Sequence, residues 1–367
     1  MMQDPFKDLI GNEPIKEYLK AAADKGSVQN SWIFSGPSGI GKTLFAKNFA
    51  HYLLTKDDLT GNEQKKIESH NHPDIRIYRP EGKIALHSIA SMRQFSEDVY
   101  LALGDGRWRI FIISDAEKML ATSANALLKT FEEPAKDAVI ILVTSALDML
   151  LPTVRSRCRI VHFHSIEEES ITSFISKTYG KTHEEAKGIA ALANGSIGQA
   201  VSLAQKGDHP LRKMLLEILA RQGFSSYKEL TDASSFIAEA IETDKREVEE
   251  SLRESLNEGF QDHMTAWQRE AFEKEVEGAL ALHMITQVSS LFEIILTWYR
   301  DLFLMRMHGS RSLLTHRDMI KAYETVQESK ISLDEVQKTL SFAKLSLERS
   351  TSLPIVFEGI FLKLNFY

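Results

Sequence analysis

A single cysteine, Cys158, stands in a chain of 367 residues. That scarcity excludes an intrachain disulfide and a multi-cysteine zinc site, and it fits a reducing compartment. No run of roughly 18 consecutive apolar residues occurs, and Met1-Met2-Gln3-Asp4-Pro5 shows no basic flank leading into an apolar stretch. The expectation is a cytoplasmic protein that is neither exported nor membrane-spanning. An excess of positive charge is missing as well: the net charge of −7 argues against a free-standing protein that holds nucleic acid by bulk electrostatics, since such affinity rests on clustered Lys and Arg. Any DNA contact is then local or shared with partners. Low-complexity tracts are absent too, and 43% hydrophobic with 26% charged residues describes an ordinary globular chain. Its length is too great for one core of typical size, so two or three domains are expected.

What is present begins with an alternation. Over residues 1–163, short β-type runs (Trp32–Phe34, Ile75–Tyr78, Ile110–Ile113, Val139–Val143, Ile160–Phe163) alternate with helical segments, the pattern of a parallel α/β sheet covered on both faces. From Ser165 the pattern changes. Ser165-Ile166-Glu167-Glu168 and Thr182-His183-Glu184-Glu185 both read as capping boxes, and a third helix follows a stop at Asn194-Gly195. A small three-helix domain over 164–208 is predicted, with a boundary near Gly207-Asp208. The remainder, 209–367, reads as all-α; in it Leu282, Ile285, Val288, Phe292, Ile295, Tyr299 and Leu302 form a core-facing stripe. Lys245 to Glu277 mixes both charge signs and is predicted to be a solvated helical face.

Gly36-Pro37-Ser38-Gly39-Ile40-Gly41-Lys42-Thr43 fits G-x-x-x-x-G-K-[ST] directly after the first strand and before an apolar-periodic segment. Glycines let such a loop turn its N–H groups inward around phosphates, and the following helix N-terminus adds positive potential. Lys42 is expected to reach the β- and γ-phosphates of ATP, and Thr43 to hold Mg²⁺. Asp115, ending the run Ile110–Ser114, is the candidate second carboxylate for the metal.

Three further segments carry a resemblance. Asn125-Ala126-Leu127-Leu128-Lys129-Thr130-Phe131-Glu132-Glu133-Pro134, Leu150-Leu151-Pro152-Thr153-Val154-Arg155-Ser156-Arg157-Cys158 and Phe6-Lys7-Asp8-Leu9-Ile10-Gly11-Asn12 are similar to signatures of the AAA+ clamp-loader subunits of bacterial DNA polymerase III. The tail Leu353–Ile360 weakly resembles that family's C-terminal collar. The resemblance implies an AAA+ P-loop domain over 1–163, a helical lid over 164–208 and an all-α oligomerisation collar over 209–367. It implies that Arg157 serves as an arginine finger on the ATP of a neighbouring subunit, and that Thr144 senses the γ-phosphate. It also implies partners: gamma/tau- and delta-type subunits in a ring, a sliding clamp, and primer-template DNA through the complex.

Departures from the motor members all point one way. Many AAA+ ATPases carry a Glu after the position of Asp115, where this chain has Ala116; Glu117 follows one residue later. Motor subunits place an Arg where this chain has Gly198. An intact P-loop and finger without these groups most resembles the delta-prime type, which binds ATP, hydrolyses it poorly and serves its neighbour. A gamma/tau-type motor using Glu117, and an AAA+ protein outside the clamp loader, are the alternatives. The four-cysteine zinc module of some family members is ruled out because Leu54–His72 has no Cys; His51, His70 and His72 read as loop or surface residues.

Overall fold

The computed structural model describes residues 5–56, 72, 74–101, 108–207, 210–221, 223–257, 266–326 and 331–364. It divides into two compact units, Met1–Gln205 and Lys206–Tyr367.

The first unit is built on five parallel strands, β1 Ser31–Ser35, β2 Ile75–Tyr78, β3 Arg109–Ile113, β4 Ala138–Thr144 and β5 Arg159–His162, in the order β2-β3-β4-β1-β5. Side chains alternate across the pleat, and here both sets are apolar. Trp32, Phe34, Ile110, Ile112, Val139, Ile141 and Val143 pack on one face with Phe45 and Phe49. Ile33, Phe111, Ile113, Ile140 and Leu142 pack on the other with Met92, Phe95, Leu127 and Phe131. That is why the central strands read as unbroken apolar runs. All five predicted strands form, within a residue or two of the expected ends.

The helices of this unit are α1 Glu13–Asp24, α2 Lys42–Thr55, α3 Ile89–Tyr100, the short α4 Ala121–Ala126, α5 Leu128–Glu132 and α6 Pro152–Arg155, then α7 Glu168–Tyr179, α8 His183–Ala193 and α9 Ile197–Lys206. The last three pack on one another through Ile171, Ile175, Ala186, Ala190, Ala193, Ala200 and Ala204. The capping box at Thr182 is present, with Glu185 returning to the Thr182 backbone, and Asn194 and Gly195 both stop α8 in left-handed geometry, at φ 47° and 81°. The box expected at Ser165 does not form. Ile166 donates its N–H to Gly195 O at 3.0 Å, so the chain stays extended there and α7 begins at Glu168 with Glu167 as an uncapped N-cap.

The second unit consists of helices among its described residues: α10 Pro210–Arg221, α11 Tyr227–Asn257, α12 Ala266–Arg306, α13 Ile320–Thr325, α14 Leu333–Glu348 and α15 Leu353–Lys363, with short 3₁₀ turns. Within α12, Phe272–Arg306 is long and apolar enough to cross a membrane by length and composition. Its Val288, Leu291, Phe292, Ile295, Trp298, Tyr299 and Leu302, however, are buried against Leu215, Leu230, Ile237, Phe357 and Phe361, so the predicted stripe is packing. The charged stretch is a solvated face where described: Arg253 bridges Glu249 and Glu273 at 3.0 and 2.9 Å, and Lys274 meets Glu270 at 2.7 Å. Such exposed pairs contribute little to stability. Residues 258–265 of that stretch, and His70, lie outside the described residues.

Candidate functional site

The P-loop leaves β1 at the C-terminal edge of the sheet, where Ser35 pairs with Thr144 of β4 and with His162 of β5. Close approach dictates its glycines. A Cβ on Gly36 would lie 2.4 Å from the Phe163 carbonyl oxygen, and Gly41, the N-cap of α2, has φ 92°. Pro37, Ser38 and Gly39 form the exposed rim, while Ile40 is buried as an anchor. Lys42, itself buried, folds back to donate to Gly36 O at 2.7 Å and Pro37 O at 2.5 Å. Burial holds its pKa below the ordinary value, against the opposing pull of Glu117 and Asp115. Thr43, half-buried, is the second residue of α2, where helix N–H groups have no partner within the helix.

The N-terminal motif has a place in this architecture. Phe6 is buried and stacks on Phe45 of α2 at 5.9 Å. Asn12 exchanges hydrogen bonds with the backbone of His164, receiving His164 N–H at 2.8 Å and donating to His164 O at 3.1 Å. The segment therefore ties the P-loop helix to the exit from β5.

Asp115 closes the opposite side. It sits in left-handed geometry (φ 51°) and opens a 3₁₀ turn, Ala116–Lys118. This turn decides which neighbour faces the loop. Ala116 is fully buried and packs with the core on the second sheet face, whereas Glu117 turns toward the end of β4. Its Oε1 accepts from Ser145 Oγ at 2.5 Å and from Ser145 N at 3.2 Å, while its Oε2 is buried without a protein partner. Burial pushes the Glu117 carboxyl up, but hydrogen bonding to Ser145 and Thr144 more than offsets this and holds it below the ordinary value. Asp115 is held above its ordinary value by burial and by the neighbouring Glu117, with Lys42 opposing. Thr144 is 1% exposed, and its Oγ1 also accepts from Ala146 N at 3.1 Å. Behind the turn, buried His87 contacts Ser114 O through Nε2 at 2.8 Å.

Sequence reasoning placed Asp115, Thr144 and the P-loop together; Gly36 N–H donates to Thr144 O at 3.3 Å, and Asp115 interacts electrostatically with Lys42. It did not find Ser145 or His87, whose residue types carry no motif. Nor did it find that α9 touches the loop: Gly198 N–H donates to Gly39 O at 2.9 Å. A Cβ on Gly39 would lie 2.2 Å from Ser196 Oγ, and one on Gly198 would lie 3.3 Å from Gly39 O. Two carboxylates, Asp115 and Glu117, interact with Lys42, Asp115 also with Lys118, and Thr43 brings a hydroxyl at the start of α2. Carboxylate and hydroxyl oxygens are the donor type that suits Mg²⁺.

Arg157 stands apart. It is exposed, donates to Thr153 O at 2.9 Å, and pairs with Glu132 at 2.5 Å, so the two signature segments that suggested the family meet in one surface ion pair. Cys158 is largely buried, and its thiol is pushed up to about 12 by burial.

A parallel sheet in this order, a complete P-loop motif at its C-terminal edge and a following three-helix layer make an AAA+-like P-loop fold. Residues 11–167 match the protein family described as DNA polymerase III, delta subunit. Among curated proteins, the chain is 28% identical over 209 residues to the delta-prime subunit of DNA polymerase III from Bacillus subtilis, covering 55% of this chain and 62% of that protein. It is 27% identical over 212 residues to the gamma subunit from Buchnera aphidicola subsp. Schizaphis graminum, covering 56% and 58%. The match thus spans less than two thirds of the length of these relatives. A solved structure, the gamma subunit-related protein of Thermotoga maritima, aligns over 95% of this chain and 98% of its own at 16% identity and a TM-score of 0.41. The resemblance read from the motifs is borne out: the chain is related to the gamma, tau and delta-prime subunits of bacterial DNA polymerase III.

Proposed function

We propose that this chain is a delta-prime-like subunit of a DNA polymerase III clamp loader. It binds ATP with Mg²⁺, turns it over slowly, and supplies Arg157 to the ATP site of a neighbouring gamma/tau-type subunit. One observation carries the choice over a motor. The positions at which motor subunits hold their glutamate and sensing arginine are here a buried Ala116 and a Gly198 pressed on the backbone of Gly39. Ala116 has no exposed surface, and a Cβ at Gly198 would already stand 3.3 Å from Gly39 O.

In this reading, residues 1–163 hold the nucleotide, 164–208 form the lid, and 209–367 form the collar by which the chain joins gamma/tau- and delta-type partners in the cytoplasm. Gly36–Thr43 cradle the phosphates, Lys42 neutralises the β- and γ-phosphates, and Thr43 with Asp115 holds Mg²⁺. Thr144 senses the γ-phosphate from the end of β4. Bound Mg²⁺ supplies charge neutralisation across the phosphates. The assembled ring opens a sliding clamp and sets it on primer-template DNA.

The test is Arg157→Ala, assembled with partner subunits. Because Arg157 is exposed and bonded only at the surface, the variant should fold normally. ATP turnover of the complex should fall by about 10³-fold at sites the finger serves. Unchanged turnover in a complex that still assembles would remove the finger assignment.

A further inference from the structure

The guanidinium of Arg157 is held from two directions. Nη1 donates to Thr153 O at 2.9 Å, within its own segment, and Nη2 donates to Glu132 Oε1 at 2.5 Å, 25 residues away in the chain. Among the described residues, Nε–H and the second Nη2–H have no partner, so the fork keeps donors for a phosphate. The carboxylate that holds it stands on fixed backbone. Glu132 ends α5, whose Thr130 and Phe131 are buried. Thr130 Oγ1 lies 2.6 Å from Ser96 Oγ of α3, and Tyr100 of α3 donates to Glu133 O at 2.8 Å. The chain leaving Glu132 is tied as well, since Asn30, just ahead of β1, donates to Ala135 O at 3.3 Å and to Ala138 O at 2.8 Å. On the other side, buried Val154 seats α6 in the core, and Arg157 N–H donates to Val154 O at 3.1 Å. As an exposed ion pair, the contact between Glu132 and Arg157 contributes little to stability. Its effect is on direction: a long arginine side chain has many rotamers, and a bond to a fixed carboxylate removes most of them before any ligand arrives.

We infer that Glu132 is the positioning residue of Arg157, setting its guanidinium in advance for the phosphate of a neighbouring subunit's ATP. This rests on the reading of Arg157 as a finger that acts in trans. Donors already in place cost no reorganisation at the moment charge develops, so the gain falls on the turnover step and not on the binding of ATP. Glu132 acts through Arg157 alone and makes no contact with the nucleotide. Two other roles are open to a carboxylate in this place. It could support the end of α5, or it could withhold the finger as a clasp that assembly must break. Each gives a different sign or pattern in a double-variant comparison. Glu133, the adjacent exposed carboxylate, has no bond to Arg157 among the described contacts and serves as the control for charge alone.

The experiment uses the full chain assembled with gamma/tau- and delta-type subunits, with gel filtration as the assembly control. Pre-steady-state ATP hydrolysis is followed against ATP concentration, and the site served by the finger is the phase that Arg157→Ala slows. Glu132→Ala should lower the maximal rate of that phase by about 10-fold, while the ATP concentration for half-maximal rate stays unchanged. Glu132→Gln, whose amide oxygen still accepts from Nη2, should recover most of the loss, and Glu133→Ala should leave the phase as it is. In the Arg157→Ala background, Glu132→Ala should have no further effect, since no guanidinium is left to orient. An equal loss in both backgrounds would show that Glu132 supports α5, and a faster phase in Glu132→Ala would show a clasp. Either result overturns the positioning role and leaves the finger reading standing. If Arg157→Ala slows no phase of a complex that still assembles, both fall.

Discussion

The buried histidine of the helical unit, His316, should make that unit's stability depend on pH in a way whose sign and size follow from its contacts. His316 is 2% exposed. Thr297 Oγ1 gives its own proton to Glu293 O at 2.7 Å, so at 2.9 Å from His316 it accepts from Nε2–H. Nδ1 is then the lone-pair nitrogen, and it accepts from Arg212 Nη2 at 3.1 Å. A proton added at Nδ1 would face a guanidinium N–H, and both groups would be donors. Burial first and Arg212 second push the His316 pKa down to about 4 from an ordinary 6.5, with Asp301 and Asp318 opposing. The unfolded chain therefore takes up a proton near pH 6.5 that the native state refuses until about pH 4. Stability from this residue is complete above pH 6.5 and is lost as the pH falls toward 4. At ~1.4 kcal/mol per pH unit, the whole window amounts to about 3 kcal/mol. Carboxylates also titrate there, so the assay is a difference: urea denaturation of wild type and His316→Asn at several pH values from 7.5 to 4. The variant starts less stable, and the gap should close by about 3 kcal/mol on acidification. A gap that stays constant would refute the assigned tautomer and the depressed pKa together.

Four further outcomes are expected. Lys42→Ala should abolish binding of a fluorescent ATP analogue while leaving clamp loading by the assembled complex only modestly reduced; complete loss of loading would favour a motor role. Gly36→Ala must move a backbone carbonyl, because its Cβ would lie 2.4 Å from Phe163 O, and should cost about 1–3 kcal/mol in thermal or urea unfolding. Gly26→Ala, with open space around its Cβ, should cost only the left-handed backbone penalty of roughly 1 kcal/mol. Cys158, raised to about 12 from an ordinary 9.0, should react with a maleimide at pH 8 about 10³-fold more slowly in the native protein than in urea, since only the thiolate attacks; equal rates would show the thiol to be open.

Much of this protein was written locally. The P-loop, the strand runs, the Thr182 capping box and the Asn194-Gly195 stop depend on residues a few positions apart, so residue type and spacing determined them. The same local reading misassigned Ser165, because a distant carbonyl, Gly195 O, takes up the Ile166 amide that would have started a helix. The candidate site divides along the same line. Gly36–Thr43, Asp115 and Thr144 were legible because a phosphate loop and strand ends leave fixed signatures. That Glu117 rather than residue 116 faces the loop was decided by the left-handed backbone at Asp115 and by the core's claim on Ala116. Likewise, Gly198 could be seen in sequence only as a missing arginine, whereas its amide hydrogen bond to Gly39 exists because α9 packs onto the P-loop. Backbone handedness and contacts between segments far apart in the chain have no single-residue signature, since each depends on what the rest of the core leaves room for.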